Sequence, residues 1–216
     1  MAAADPRAPV VVTGFGRFPG VTDNPSQIVV EALQASPGLL PLGAECRLLE
    51  VAYAAVPPAL EDILARPPAV LVLTGYSTLA QGFKLERRAS NVRSPRLADA
   101  RGSCPAPRPG APVDIQENSA CDFPVLEAAL RARGIPCQLS DDCGQYVCNS
   151  TYHTALARIA ARTLPTQAIF VHLPAITGTP LAETSASAME LAEMAAGVAT
   201  IARLLAGAPT IPPAIR

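Results

Sequence analysis

Ala69-Val70-Leu71-Val72-Leu73-Thr74-Gly75 is the clearest continuous apolar strand in the chain, and its reading decides the fold class. The run does not alternate apolar with polar residues, so both of its faces must be covered. Unbroken Val/Leu strands of this kind belong to parallel sheets buried between helices. Two further runs repeat the pattern. Val10-Val11-Val12 leads into the glycine-rich loop Thr13-Gly14-Phe15-Gly16-Arg17-Phe18-Pro19-Gly20, and Ala168-Ile169-Phe170-Val171-His172-Leu173-Pro174 carries an imidazole near its end.

Helical patterns fall between these runs. Asn24-Pro25-Ser26-Gln27 is a helix start, with Asn24 at the N-cap and Pro25 at the first helical position, ahead of Ile28, Val29, Ala32 and Leu33. Asp122 caps a helix bearing Pro124, Val125, Leu126, Ala129 and Leu130 that stops at Gly134, and Ser187-x-x-Glu190 reads as a capping box before Leu191, Met194, Ala195, Val198, Ala202 and Leu205. Cys46 to Ala52 and Ile135 to Ser140 are further strands, and Pro57-Pro58 opens a short helix. Tyr76 to Asn91 reads as a loop that carries Glu86. The alternation predicts a three-layer α/β/α sandwich around a mainly parallel, twisted sheet, one domain spanning residues 1–216. Around 92–120 the chain is rich in Pro, Arg, Gly and Ser. A stretch this long is a lid, an interface arm or a disordered insertion, and its arginines read as a solvated loop face.

At 216 residues and 50% hydrophobic composition, the chain can bury one sizeable core. A net charge of -1 leaves nothing global to attract nucleic acid or an anionic membrane. The apolar run from Val10 is broken at Gly14, too short for a signal or a membrane span, so a cytoplasmic location is expected. The six cysteines then read as reduced thiols rather than disulfides. The excess of 16 arginines over the single Lys84 reads as base-composition bias without functional weight. Gly14 and Gly16 lack the third glycine of a dinucleotide fingerprint.

The chemistry-bearing stretch is Gln145-Tyr146-Val147-Cys148-Asn149-Ser150-Thr151-Tyr152-His153. Tyr152, Leu156, Ile159 and Thr163 predict a helix from Asn149 or Ser150, which places Cys148 at its N-terminus. Free backbone N–H groups and the positive end of the helix dipole favour a thiolate there and lower the thiol pKa. A buried, inert cysteine is the plainer reading of the stretch alone. In open α/β sheets ligands gather at the C-terminal ends of the strands, where the Phe15/Phe18 loop, Glu86, Cys148 and His172 are expected together. A thiol nucleophile needs a base, and there are two histidines. His153 points roughly 140° away from Cys148 around the helix, which leaves His172, with Glu86 as the carboxylate that orients it. A metal site built from Cys137, Cys143, Cys148, His153 and His172 is the rival use; the spacing is irregular and contains no Cys-x-x-Cys pair. No metal and no organic cofactor is expected.

Four ordered motifs resemble the pyroglutamyl-peptidase type I family, cytoplasmic omega peptidases with a Cys-His-Glu triad. They are Thr13-Gly14-Phe15-x-x-Phe18 with Asn24-Pro25-Ser26; Glu86-Arg87-x-Ala89-x-Asn91; Tyr146-Val147-Cys148-Asn149; and Val171-His172-Leu173-Pro174. The resemblance implies Cys148 as nucleophile, His172 as general base and then acid, and Glu86 as the group that orients His172. It implies an apolar pocket from Phe15, Phe18, Tyr146, Val147 and Leu97 around a lactam ring, with Asn24 in polar recognition. It places Arg96 in the active-site region without a role. The substrate it implies is an N-terminally blocked peptide, and a homo-dimer or homo-tetramer is an open expectation, with Ser103 to Pro112 as a contact or a lid. The chain departs from the family where Gln-Ala-Gly-Gly-Arg becomes Tyr76-Ser77-Thr78-Leu79-Ala80, where a proline becomes Leu85, and where a histidine and a tyrosine become Ser150 and His153. The glutamine lost at Tyr76 helps bind the lactam in the family, and Tyr76 is expected among the substrate-binding residues in its place, its hydroxyl standing in for the amide or its ring filling the pocket. The alternatives are therefore a cysteine amidohydrolase acting on another small or cyclic acyl amide, and a catalytically weak binding protein of the same fold.

Overall fold

The computed structural model describes residues 10–105 and 112–207. In chain order its elements are β1 (Val10–Phe15), α1 (Pro25–Ala35), β2 (Glu45–Leu49), α2 (Val56–Ala65), β3 (Val70–Tyr76), β4 (Phe83–Glu86), β5 (Arg88–Ser90), β6 (Ile115–Glu117), α3 (Phe123–Arg131), β7 (Cys137–Ser140), α4 (Val147–Ala161), β8 (Gln167–Leu173), β9 (Ala175–Ile176), β10 (Ala188–Met189) and α5 (Leu191–Leu205). Six strands form the main sheet in the order β2-β1-β3-β8-β4-β7. Its pairs are parallel except β4 with β8, so the mainly parallel sheet expected from Ala69–Gly75 is present.

Each central strand sends alternate side chains to opposite faces. Val10 and Val12, Val70 and Val72, and Ile169 and Val171 join one core with residues of α1, α3 and α5. Val11, Leu71, Leu73 and Phe170 join a second core with residues of α2 and α4. These residues are buried throughout, each fully buried large apolar side chain contributing roughly 1.5–3 kcal/mol against exposure. The result is the three-layer arrangement. Gly14 lets α1 close on β1: a Cβ there would lie 2.3 Å from the Ser26 carbonyl oxygen, and the Phe15 N–H donates to Ser26 Oγ at 3.0 Å.

Three expectations are corrected. Tyr76 to Asn91 is not a loop throughout, because β4 pairs with both β8 and β7 and β5 follows at once. Phe83 and Leu85 face one core while Lys84 and Glu86 face the other side, and a four-residue strand with charges on one face has no apolar run to reveal it. The helix bearing Cys148 starts at Val147, earlier than Asn149. α5 starts at Leu191 with Glu190 as N-cap and no side-chain cap; Ser187 instead donates its hydroxyl to the Ala80 carbonyl at 3.0 Å. The Asn24 and Asp122 caps form as expected, accepting from the Ser26 and Val125 N–H groups.

The described parts of the 92–120 stretch are tied down rather than structureless. Asn91 N–H donates to the Asp114 carbonyl at 3.0 Å, Ser94 N–H to that of Gln145 at 2.8 Å and Ala100 N–H to that of Val51 at 2.8 Å. β5 and β6 pair as an antiparallel ribbon against α4. Residues 106–111 of the Ser103–Pro112 arm lie outside the described residues. No helix among the described residues is long and apolar enough to cross a membrane.

Candidate active site

His172 and Glu86 meet across the antiparallel β4–β8 pair. Lys84 lies directly opposite His172 and Glu86 opposite Phe170, so Glu86 reaches its partner diagonally. This corrects the expectation that Glu86 sits at the C-terminal edge of the sheet: β4 enters at that edge and carries Glu86 inward. His172 Nδ1 and Glu86 Oε1 are 2.8 Å apart, with His172 6% and Glu86 0% exposed. Among the described residues the second carboxylate oxygen, Oε2, has no hydrogen-bond partner. Phe170 packs on the imidazole with ring centroids 4.8 Å apart. The Glu86 main-chain carbonyl accepts from the Tyr152 hydroxyl at 3.1 Å, and that hydroxyl accepts from Asn118 Nδ2 at 2.8 Å.

Cys148 is the second residue of α4, and its sulfur lies over Gly75, the residue paired with His172 between β3 and β8. A Cβ on Gly75 would come within 2.8 Å of the sulfur and 2.9 Å of Phe170 Cζ. Only a glycine leaves room for the thiol at this strand. The first N–H of α4 to find a helical carbonyl is that of Ser150, 3.2 Å from the Tyr146 oxygen. The N–H groups before it remain available to an oxyanion.

The thiol is not the lowered one expected from its helix position. Burial pushes Cys148 up to about 12, the Glu86 charge adds to that, and the helix N–H of Cys148 opposes it more weakly. Desolvation of a thiolate beside a carboxylate outweighs the dipole of one helix end. Among the described residues no hydrogen bond joins the sulfur to His172. Burial therefore favours the protonated form of this thiol.

Cys143 stands beside this group, and Glu86, Cys143 and His172 offer ligand-type atoms within 4.8 Å of one another. Burial raises the Cys143 thiol well above its ordinary value. A dication at these donors would meet the Lys84 ammonium, which already stands 3.3 Å from Glu86 Oε1. Among the ligands weighed from sequence, His153 is elsewhere: its Nε2 is 2.7 Å from Asp114 Oδ2.

An aromatic group adjoins Cys148. The Tyr146 ring lies 6.2 Å from Phe18 and 6.1 Å from Tyr53, the Tyr146 hydroxyl donates to the Ala98 carbonyl at 2.9 Å, and the Arg93 guanidinium sits 5.0 Å from the Tyr53 ring centre. Phe15 and Val147 are buried in the α2/α4 core, and Leu97 is 51% exposed. Asn24 is consumed by its own loop, accepting from Ser26 N–H at 3.1 Å and donating to the Gly16 carbonyl at 2.9 Å. Tyr76 leaves β3 on the face opposite the Cβ direction of Gly75, and its hydroxyl is 2.6 Å from Ser185 Oγ. Ser185 spends its proton on the Leu181 carbonyl at 2.7 Å, so Tyr76 is the donor of that pair. Arg96 is exposed.

Sequence reading missed Gly75, Tyr53, Lys84 and Asp99. Asp99 is buried and accepts from the N–H groups of Tyr53, Arg101 and Ser103, which shapes the wall that Tyr53 and Tyr146 share. The only advance signal was at Lys84, alone among 16 arginines.

The model of the pyroglutamyl peptidase family matches residues 8–206. The pyrrolidone-carboxylate peptidase of Mycobacterium marinum is 34% identical over 175 residues, 77% of this chain and 77% of that protein. That of Thermococcus onnurineus is 33% identical over 173 residues, 77% of this chain and 84% of that protein. Among solved structures, pyroglutamyl peptidase I of Bacillus amyloliquefaciens has a TM-score of 0.79 at 22% identity over 92% of this chain and 96% of its own. The pyrrolidone carboxyl peptidase of Fervidobacterium islandicum has a TM-score of 0.78 at 26% identity, over 90% and 97%.

Proposed function

The chain belongs to the pyroglutamyl peptidase family, cysteine peptidases that remove an N-terminal pyroglutamyl residue, and we propose that Cys148, His172 and Glu86 carry that reaction in it. The observation that supports these roles is the buried His172–Glu86 pair lying beside a thiol seated on Gly75 at the start of α4.

The resting thiol has to be activated by proton transfer, because burial holds it near 12. His172 takes the Cys148 proton as sulfur attacks the pyroglutamyl carbonyl, and Glu86 stabilises the imidazolium through Nδ1. The N–H groups at the start of α4 receive the oxyanion. On collapse the C–N bond breaks, His172 returns the proton to the leaving amine, and a thioester remains on Cys148. Water, deprotonated by His172, then releases pyroglutamate and restores the thiol. Phe18 and Tyr146 supply an apolar wall for the ring, with Phe15 and Val147 packed behind them. The amide that the family presents at position 76 is missing here, which favours a second reading, another small or cyclic acyl amide as substrate.

A panel of chromogenic amides of pyroglutamate, proline, alanine and glutamine tests both readings. Preferential pyroglutamyl cleavage, abolished in Cys148→Ala, is expected; cleavage of another amide alone selects the second reading. His172→Ala should lower kcat by at least ~10³-fold, while His153→Ala should leave it within about threefold. Equal losses in the two histidine variants would remove His172 from the role of base.

A further inference from the structure

Lys84 is the single lysine of the chain, and its side chain is only 22% exposed. It precedes Glu86 by two residues on the same face of β4 and stands directly opposite His172 on β8. Its ammonium donates to the Asp142 carbonyl at 2.7 Å and lies 3.3 Å from Glu86 Oε1, the oxygen that also meets His172 Nδ1. Glu86 is fully buried, and among the described residues its other oxygen has no partner, so the carboxylate is met there by one imidazole and one ammonium. The remaining titratable groups that face it are Cys143 from the loop before α4 and Cys148 and Tyr152 from α4. Burial holds all three in their neutral forms. Asp142 lies beyond Lys84, with its own carboxylate accepting from the Gly144 N–H at 2.9 Å.

We propose that Lys84 is a positioning residue for the peptidase reaction: its ammonium holds the Glu86 carboxylate aimed at His172, and its bond to the Asp142 carbonyl ties β4 to the loop that leads into α4 and Cys148. A compact ammonium with three donors can hold a carboxylate and a carbonyl at once. The charge arithmetic sets the direction of its effect. Replacing Lys84 by a neutral residue takes a positive charge from 3.3 Å of Glu86 Oε1. That loss favours proton uptake by the His172–Glu86 pair in a neutral variant, on the carboxylate or on the ring. Either proton blocks the transfer from Cys148.

This inference rests on the catalytic roles proposed above, so its test has one arm that uses turnover and one that does not. In Lys84→Met and Lys84→Gln the acid limb of kcat/KM should move up by about one pH unit, with turnover near pH 6 falling roughly tenfold and recovering toward pH 9. Lys84→Arg keeps the charge and should keep the limb in place. Lys84→Gln retains a donor for Asp142, which separates the charge from the tether if Lys84→Met folds poorly. The second arm follows the His172 ring by NMR in a His153→Gln background, where it is the only imidazole. Its titration should move up in the two neutral variants and stay in Lys84→Arg. An unmoved titration in all variants overturns the proposal, as does a uniform loss of turnover at every pH with an unmoved limb. A displaced ring titration in a protein without pyroglutamyl turnover would keep the coupling of Lys84 to the His172–Glu86 pair and discard the functional reading instead.

Discussion

At the scale of single residues, the site turns on an absent methyl group. Gly75 pairs with His172 on one side and carries the Cys148 sulfur above it, and a Cβ at this position would be 2.8 Å from that sulfur and 2.9 Å from Phe170 Cζ. Neither neighbour can yield freely, since Phe170 is fully buried and Cys148 is set by the first turn of α4. Gly75→Ala should therefore lower kcat by about 10²-fold or more through misplacement of the thiol, at a stability loss of roughly 1–3 kcal/mol. Steady-state kinetics together with thermal unfolding check this; a variant with wild-type kcat would show that the sulfur moves aside at no functional loss. Burial, with the Glu86 charge adding to it, pushes the thiol up to about 12 instead of letting the helix end lower it. Alkylation of the free enzyme by iodoacetamide should accordingly keep rising with pH beyond 9 and show no plateau at neutrality. A plateau near pH 7 would mean that a resting thiolate–imidazolium pair forms without substrate.

At the scale of elements, the position of Glu86 comes from β4, a strand that sequence periodicity does not reveal. Its two apolar residues serve one core and its two charged residues serve the site, so the pattern is too short and too polar to read as a buried strand. Cys148 and His172 were legible because each sits in or beside an apolar run and because the chain has two histidines. Lys84 and Gly75 were not, since their neighbours are set by the β4–β8 and β3–β8 registers, which no local pattern encodes. The clamp between α4 and β5 is of the same kind. Asn149 accepts from the Ser90 N–H at 2.9 Å and donates to the Ser90 and Val92 carbonyls at 2.8 and 2.9 Å. It holds the strand that follows Glu86 against the helix that carries Cys148. Asn149→Ala leaves three main-chain groups without these bonds, and urea unfolding should show a loss of about 2–3 kcal/mol. A loss below ~0.5 kcal/mol would mean that water replaces the clamp and that β5 is held by β6 alone.

At the scale of the whole molecule, the sheet was legible in the covered runs Ala69–Gly75 and Ala168–Pro174 and in Ile135–Ser140, which becomes β7, and illegible at β4, through which the strand order doubles back. Burial of thiols also shapes the response of the fold to alkali. Burial raises the Cys46 thiol to about 11 and that of Cys148 to about 12, against an ordinary 9.0, and it raises Cys143 as well. Between pH 9 and these folded values the native chain holds protons that the unfolded chain releases. Stability is therefore fully present below pH 9 and is lost as pH rises toward 11 and 12. With reductant present, the urea midpoint of the wild type should fall steadily from pH 9 to pH 11. The fall should be shallower in a Cys46→Ala, Cys148→Ala double variant, which removes two of the groups that release protons on unfolding. Tyr53, which burial raises to about 12, is the competing source of such a slope. An equal fall in the double variant would transfer the alkaline sensitivity to Tyr53 and the other buried phenols, whereas Tyr53→Phe should otherwise leave the early part of the decline, just above pH 9, in place.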